Sequence, residues 1–130
     1  MGEGTTIKIN NFTDLVSWQI AHELVIEIYQ TTKDFPEEEK FGLTKQIKRA
    51  AVSISSNIAE GFARQSAKEK IQFYHIYQGS NTEVQNQLYV ARDVGYLQDD
   101  KTKEIIAKPI RVQKLINGMI KSLREHSPNT

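Results

Sequence analysis

The chain has 130 residues, 38% of them apolar and 25% charged, with a net charge of +1. That composition suits one globular domain with a single core, and 7 Gly with 3 Pro favour long helices over a many-stranded β fold. Cys is absent, which excludes disulfides and thiolate metal sites; no window supplies the ~18 uncharged apolar residues of a membrane span, and Met1–Phe12 lacks the basic and apolar segments of a signal peptide, so a cytoplasmic location is expected. Charge is unevenly spread. Residues 1–40 carry net −5 and residues 41–130 carry net +6. The basic part therefore meets a polyanion, or the acidic and basic parts meet each other between subunits.

In chain order, residues 1–12 read as a flexible arm in which Thr5–Asn10 alternates like a short strand. Thr13 or Asp14 is the predicted N-cap of a first helix reaching Thr32. Its core face is Leu15, Trp18, Ala21, Val25, Ile28 and Tyr29. Val16, Ile20 and Leu24 form a further stripe on the opposite side, so the helix is apolar nearly all round, and self-association is the expected use of the second stripe. His22 falls on the core face, where a hydrogen-bonded boundary His is expected over a proton switch.

Lys33–Pro36 is the first turn, and Pro36 suits the first position of a second helix opened by Glu37, Glu38 and Glu39 and running to about Ala63. Gln46–Gly61 carries two stripes: Ile47, Ala51, Ile54 and Ile58 face a core, while Arg49, Ser53, Asn57, Glu60 and Arg64 repeat at the same spacing on a second face. After Arg64-Gln65, Ser66 and Glu69 match a capping box that opens a third helix, ending near Val94 with Gly95 as its terminator. Its inward face is Phe73, Tyr77, Val84, Leu88 and Ala91, with Ser80 and Gln87 alongside and Glu83 on the edge. Asp99 or Asp100 caps a fourth helix reaching about Arg124, with Ile105, Val112, Ile116, Met119 and Leu123 inward; Pro109 kinks it or marks its effective start. Residues 126–130 read as a frayed end, leaving 13–125 as the domain. The second and third helices, at roughly 27 residues, would be about 40 Å long. Short connections make neighbours antiparallel, so the predicted fold is an all-α, up-down-up-down antiparallel four-helix bundle.

The usual chemical constellations are missing. His22, His75 and His126 are the only histidines and none completes a Glu-x-x-His pair. No Gly-rich phosphate loop occurs, and no Arg precedes His75 or His126 at the spacing of helical ribonucleases. No catalytic residue, metal or cofactor is expected. Ser80 and Glu83 need partners if buried, and Arg49, Ser53, Asn57 and Glu60 on the antiparallel neighbour supply them: a structural polar layer, with Glu83 paired to Arg49 or Asn57, is expected over a catalytic carboxylate pair. Two basic groups offer a phosphate-tracking surface: Lys45, Lys48, Arg49, Arg64, Lys68 and Lys70 along the second helix and its exit turn, and Lys103, Lys114 and Lys121 on the outer face of the fourth helix.

Trp18, Leu24, Tyr29, Phe35-Pro36, Gly42-Leu43, Gln46-Ile47, Arg49-Ala50-Ala51, Ser53-Ile54 and Asn57-Ile58-Ala59-Glu60-Gly61, followed by Gly79-Ser80, Glu83 and Gly95-Tyr96-Leu97, resemble the signature of the 23S rRNA intervening-sequence proteins over about residues 14–123. That family is similar to the accessory variability proteins of diversity-generating retroelements, which are more basic than this chain. The resemblance implies a four-helix subunit assembled as a homopentamer, without enzymatic activity, that binds nucleic acid or a nucleic-acid enzyme. The expected function is RNA or DNA binding through Lys45, Lys48, Arg64, Lys68, Lys103, Lys114 and Lys121. The alternative is a scaffold that docks a protein partner through the polar stripe or through Tyr74, Tyr89 and Tyr96.

Overall fold

The computed structural model describes residues 8–126. They form four α-helices: α1 Val16–Thr31, α2 Leu43–Ala63, α3 Ala67–Asp93 and α4 Asp99–His126, with no strand among the described residues. Each helix packs on its sequence neighbours and α4 closes onto α1, which is the predicted up-down-up-down bundle. Of the expected strand-like segment, residues 5–7 lie outside the described residues and Lys8, Ile9 and Asn10 are not in a strand. The first helix starts differently from expectation. Neither Thr13 nor Asp14 caps α1, which has no side-chain cap; Asn11 caps the turn ahead of it, its side chain accepting from the Thr13 amide at 2.7 Å, while the Asp14 carboxylate accepts from the amides of Asn10 and Asn11. This capping box closes a 3₁₀ turn, Phe12–Asp14, and α1 follows after extended Leu15.

The core runs the length of the bundle through Ile20, Leu24 and Ile28 of α1, Ile47, Ile54 and Ile58 of α2, Tyr74, Tyr77, Val84 and Leu88 of α3, and Ile105, Val112 and Ile116 of α4. The predicted inward face of α1 is rotated. Ile20 and Leu24, expected opposite the core, are at its centre; Trp18 and Val25 are half-buried and Tyr29 is exposed. His22 is exposed as well, stacked on Trp18 at 4.7 Å. A helix apolar on most of its circumference does not mark which arc turns inward. α1 has no spare stripe of Ile20 and Leu24 to bury in another subunit. On α4 the helix continues through buried Pro109, so Pro109 is not its effective start, and Ile120 replaces the half-buried Met119 and Leu123 in the core.

Two close fits set the geometry. In α2, a Cβ on Gly61 would stand 2.5 Å from Cε1 of Tyr74, so this glycine makes room for a buried ring of α3. Between α3 and α4, fully buried Asn81 donates to the Pro109 carbonyl and to the Tyr77 hydroxyl, both at 2.9 Å, and Tyr77 donates on to Gln113 at 3.2 Å. Gln85 donates to the Asn81 side-chain oxygen. Burial pushes the Tyr77 hydroxyl well above the ordinary phenol range.

The α1–α2 connection also departs from expectation. Glu37–Glu39 form a 3₁₀ turn, and α2 begins only at Leu43, with 21 residues, so its length is about 32 Å. The reason is a clasp on the Glu39 carboxylate. One oxygen accepts the Leu43 amide at 3.0 Å and does the capping that Gly42 has no side chain to do; the other accepts the Tyr96 hydroxyl at 2.8 Å. Tyr96 is delivered by the end of α3. Gly95 takes φ +91°, the Gly95 amide bonds to Arg92 and the Tyr96 amide to Ala91, a Schellman ending. The Phe35 ring lies 5.6 Å from that of Tyr96.

Gly61→Ala is expected to destabilise the bundle by about 1–3 kcal/mol through overpacking against Tyr74, a loss to be read as a lower urea midpoint; an unchanged midpoint would show that the ring yields freely. The hydrogen bond from the Leu43 amide, and next that from Tyr96, hold the Glu39 carboxyl below its ordinary range. Its stabilising contribution is therefore present above the unfolded carboxylate value and is lost as pH falls through the lowered folded value. Tyr96→Phe is expected to move the Glu39 titration, followed by carboxyl NMR, to higher pH.

Candidate nucleic-acid interface

The seven predicted contact residues do not form one surface. Lys45 and Lys48 sit on the first turns of α2, at the end of the bundle where α1 meets α2 and α3 meets α4. Arg64 and Lys68 sit at the opposite end; Lys45 and Arg64 are separated by about 28 Å along α2 at ~1.5 Å per residue. Lys103, Lys114 and Lys121 line the outer side of α4, all exposed.

Their electrostatic states differ. Arg64 is taken up by its own helix: its guanidinium pairs with Glu60 at 2.6 Å and lies 5.0 Å over the Phe73 ring. Lys103 pairs with Asp99 at 3.1 Å. Lys70 turns inward to cap α2, donating to the Phe62 carbonyl at 2.6 Å, and its partial burial lowers its pKa. Lys45, Lys68, Lys114 and Lys121 make no ion pair with another described residue, and the Lys48 ammonium lies 4.7 Å over the Tyr29 ring. Lys121 is joined by Arg124, His75 and Asn117 around a shallow depression between α3 and α4. Lys45 and Lys48 are joined by Lys40, Phe41 and Thr44 around another. Lys40 and Phe41 were not among the predicted contacts. The available signal was an aromatic residue set between lysines just ahead of a glycine, a position with no core to fill.

The acidic and basic parts of the chain meet inside the subunit. Glu27 of α1, nearly buried, accepts from Lys108 at 2.8 Å and from Lys101 at 3.4 Å, both on α4.

The expected polar layer forms in part. Ser53 and Ser80 join α2 to α3 at 2.7 Å, and Asn57 donates to the Ser53 hydroxyl and carbonyl within α2. Glu60 is used by Arg64. Glu83 and Arg49 are both exposed and are not paired with each other, because Glu83 lies farther out on α3 than a buried partner requires. The fully buried polar side chain of α3 is Asn81, on the side facing α4. Gln87 is also buried, and its side-chain oxygen has no hydrogen-bond partner. Of the three tyrosines predicted as partner contacts, Tyr74 is buried and Tyr96 is engaged with Glu39; Tyr89 is exposed beneath the Arg92 guanidinium. Among the described residues no group of three His, Asp or Glu could hold a metal ion, and no helix is long and apolar enough to cross a membrane.

Among solved structures, the chain is similar to a protein of unknown function from the S23 ribosomal protein family of Bacteroides thetaiotaomicron, at 25% identity and a TM-score of 0.75, over 82% of this chain and 99% of that one. No curated protein matches it. Residues 13–118, from the capping turn through most of α4, match the family described as 23S rRNA-intervening sequence protein. The chain belongs to the 23S rRNA-intervening sequence protein family.

Proposed function

We propose that this chain is a non-enzymatic, cytoplasmic, homo-oligomeric bundle that binds structured RNA through its unpaired surface lysines. The observation that carries the reading is the state of those lysines. Lys45, Lys68, Lys114 and Lys121 are held on rigid helices with no acidic partner among the described residues, which is what phosphate contacts require. Lys114 and Lys121 stand about 10 Å apart along α4 at ~1.5 Å per residue, a separation that suits tracking a phosphate backbone. The family's description, which refers to an intervening sequence of 23S rRNA, agrees with a nucleic-acid role.

Self-association is supported by α3. Ile76, Glu83, Gln87, Val90 and Val94 lie within about 60° of one another by the helical period. Ile76 and Val94 are each more than half exposed, at 51% and 56%. A second copy laid on this stripe would cover the apolar groups. A pentamer, as the family resemblance implies, would array the basic surfaces in a ring. Docking of a protein partner is the weaker reading, since two of its three candidate tyrosines are engaged inside the subunit.

Two outcomes are expected. Binding to a structured RNA should weaken steeply between ~50 and 200 mM salt, and replacing Lys114 and Lys121 by Gln should make the salt slope shallower by about 1–2; no binding at ~50 mM salt would overturn the RNA reading. The native mass should be a multiple of the 14.9 kDa subunit, and Ile76→Glu with Val94→Glu should reduce it to one subunit. A monomeric wild-type chain would overturn the assembly.

A further inference from the structure

Phe41 is the most exposed large apolar side chain among the described residues, at 79%. It does not sit on a loose segment. The residue two before it, Glu39, is clasped by the Leu43 amide and the Tyr96 hydroxyl, and the Glu39 carbonyl accepts the Gly42 amide at 2.9 Å. The turn is thus tied at both sides, and the ring between is held out in water. Its surroundings are cationic. Lys40, Thr44, Lys45 and Lys48 border the same depression, the Lys40 ammonium stands 5.6 Å from the Phe41 ring centroid, and Lys45 and Lys48 lie one turn apart on α2. The carboxylates of the turn leave most of this charge in place: Glu39 points to Leu43 and Tyr96, and Glu37 only approaches Lys40, at 4.0 Å. Neither Lys45 nor Lys48 is paired with an acid among the described residues.

We propose that this turn is a base-stacking subsite: the Phe41 ring stacks on an unpaired base of single-stranded RNA while Lys45 and Lys48 hold the adjoining phosphates. The inference rests on the nucleic-acid reading above and deepens it. An exposed flat ring bordered by cations is the combination that single strands use, since every base has a π-face and every linkage a charge. A duplex covers its base faces with neighbouring bases, so the ring selects unpaired nucleotides. An apolar protein surface is a poorer occupant, because lysines are depleted from the cores of protein interfaces and Phe41 has three around it.

The test uses the full chain, a single-stranded oligoadenylate, and an abasic phosphodiester of equal length and charge, at ~50 mM salt. Phe41→Leu removes the ring without touching the core. It should weaken oligoadenylate binding roughly tenfold, leave abasic binding unchanged, and leave the melting temperature where it was. Lys45→Gln with Lys48→Gln should weaken both ligands. In the wild type, the Phe41 ring protons should shift upfield with oligoadenylate and not with the abasic strand. Equal binding of the two ligands, together with no effect of Phe41→Leu, would overturn the stacking subsite and leave phosphate binding standing. Failure of both ligands to bind would overturn the subsite, and the wider nucleic-acid reading falls with it only if a structured RNA also fails to bind at ~50 mM salt. A Phe41→Leu variant of lower native mass, together with wild-type Phe41 ring protons indifferent to oligoadenylate, would overturn it in favour of a contact between copies of this chain.

Discussion

The close approach of α2 and α3 sets the frame for everything else in this bundle. It depends on small residues where the helices meet: Gly61 on α2, and the paired hydroxyls of Ser53 and Ser80. At Gly61 the ring of Tyr74 occupies the space a Cβ would take. With those two helices locked in register, the isoleucines of α2 join Tyr77, Val84 and Leu88 of α3 in one apolar core, and α1 and α4 complete the bundle around them. Burial of apolar area supplies the driving force. The hydroxyl pair and the Asn81 hydrogen bonds add direction, since a buried polar group left without its partner costs free energy.

The ends of the bundle are governed by hydrogen bonds more than by apolar contact. A glycine-terminated α3 turns Tyr96 across to Glu39, and Glu39 begins α2. One carboxylate therefore ties two connections that are 57 residues apart in the chain. This places a rigid, cation-bordered turn at that end, and the proposed ligand surface lies there because the clasp holds it. At the other end two of the basic residues are turned to structural use: Arg64 binds Glu60 and lies over Phe73, and Lys70 closes the carbonyls of α2. Basic residues at the two ends thus mean different things. Only lysines without an internal acidic partner are available to phosphate.

Much of this was readable from residue order. Helix number, the α2 isoleucine stripe, the Ser66–Glu69 capping box and the terminating Gly95 all follow from local rules that a few neighbouring residues satisfy. The readings that failed were those needing knowledge of what lies across a gap. Glu83 was expected to find Arg49 or Asn57, yet it is exposed, and Asn57 donates to Ser53 instead. Asn81, one position from Ser80, turned out to hold α4 instead. A shift of one residue is 100° on a helix, and that decides which neighbour a side chain meets.

From the amino acids alone come the all-α architecture, the family, and the two-stripe character of α2, because helical periodicity and caps are properties of adjacent residues. Which arc of α1 turns inward, where α2 begins, and which cations remain available were decided only by the folded arrangement. Each depends on contacts between residues distant in the chain: Glu39 with Tyr96, Asn81 with Pro109, Glu27 with Lys108. Phe41 shows the difference most plainly. In the sequence it is one apolar residue beside a turn; in the bundle it is a fixed ring with water on its face and lysines at its edge.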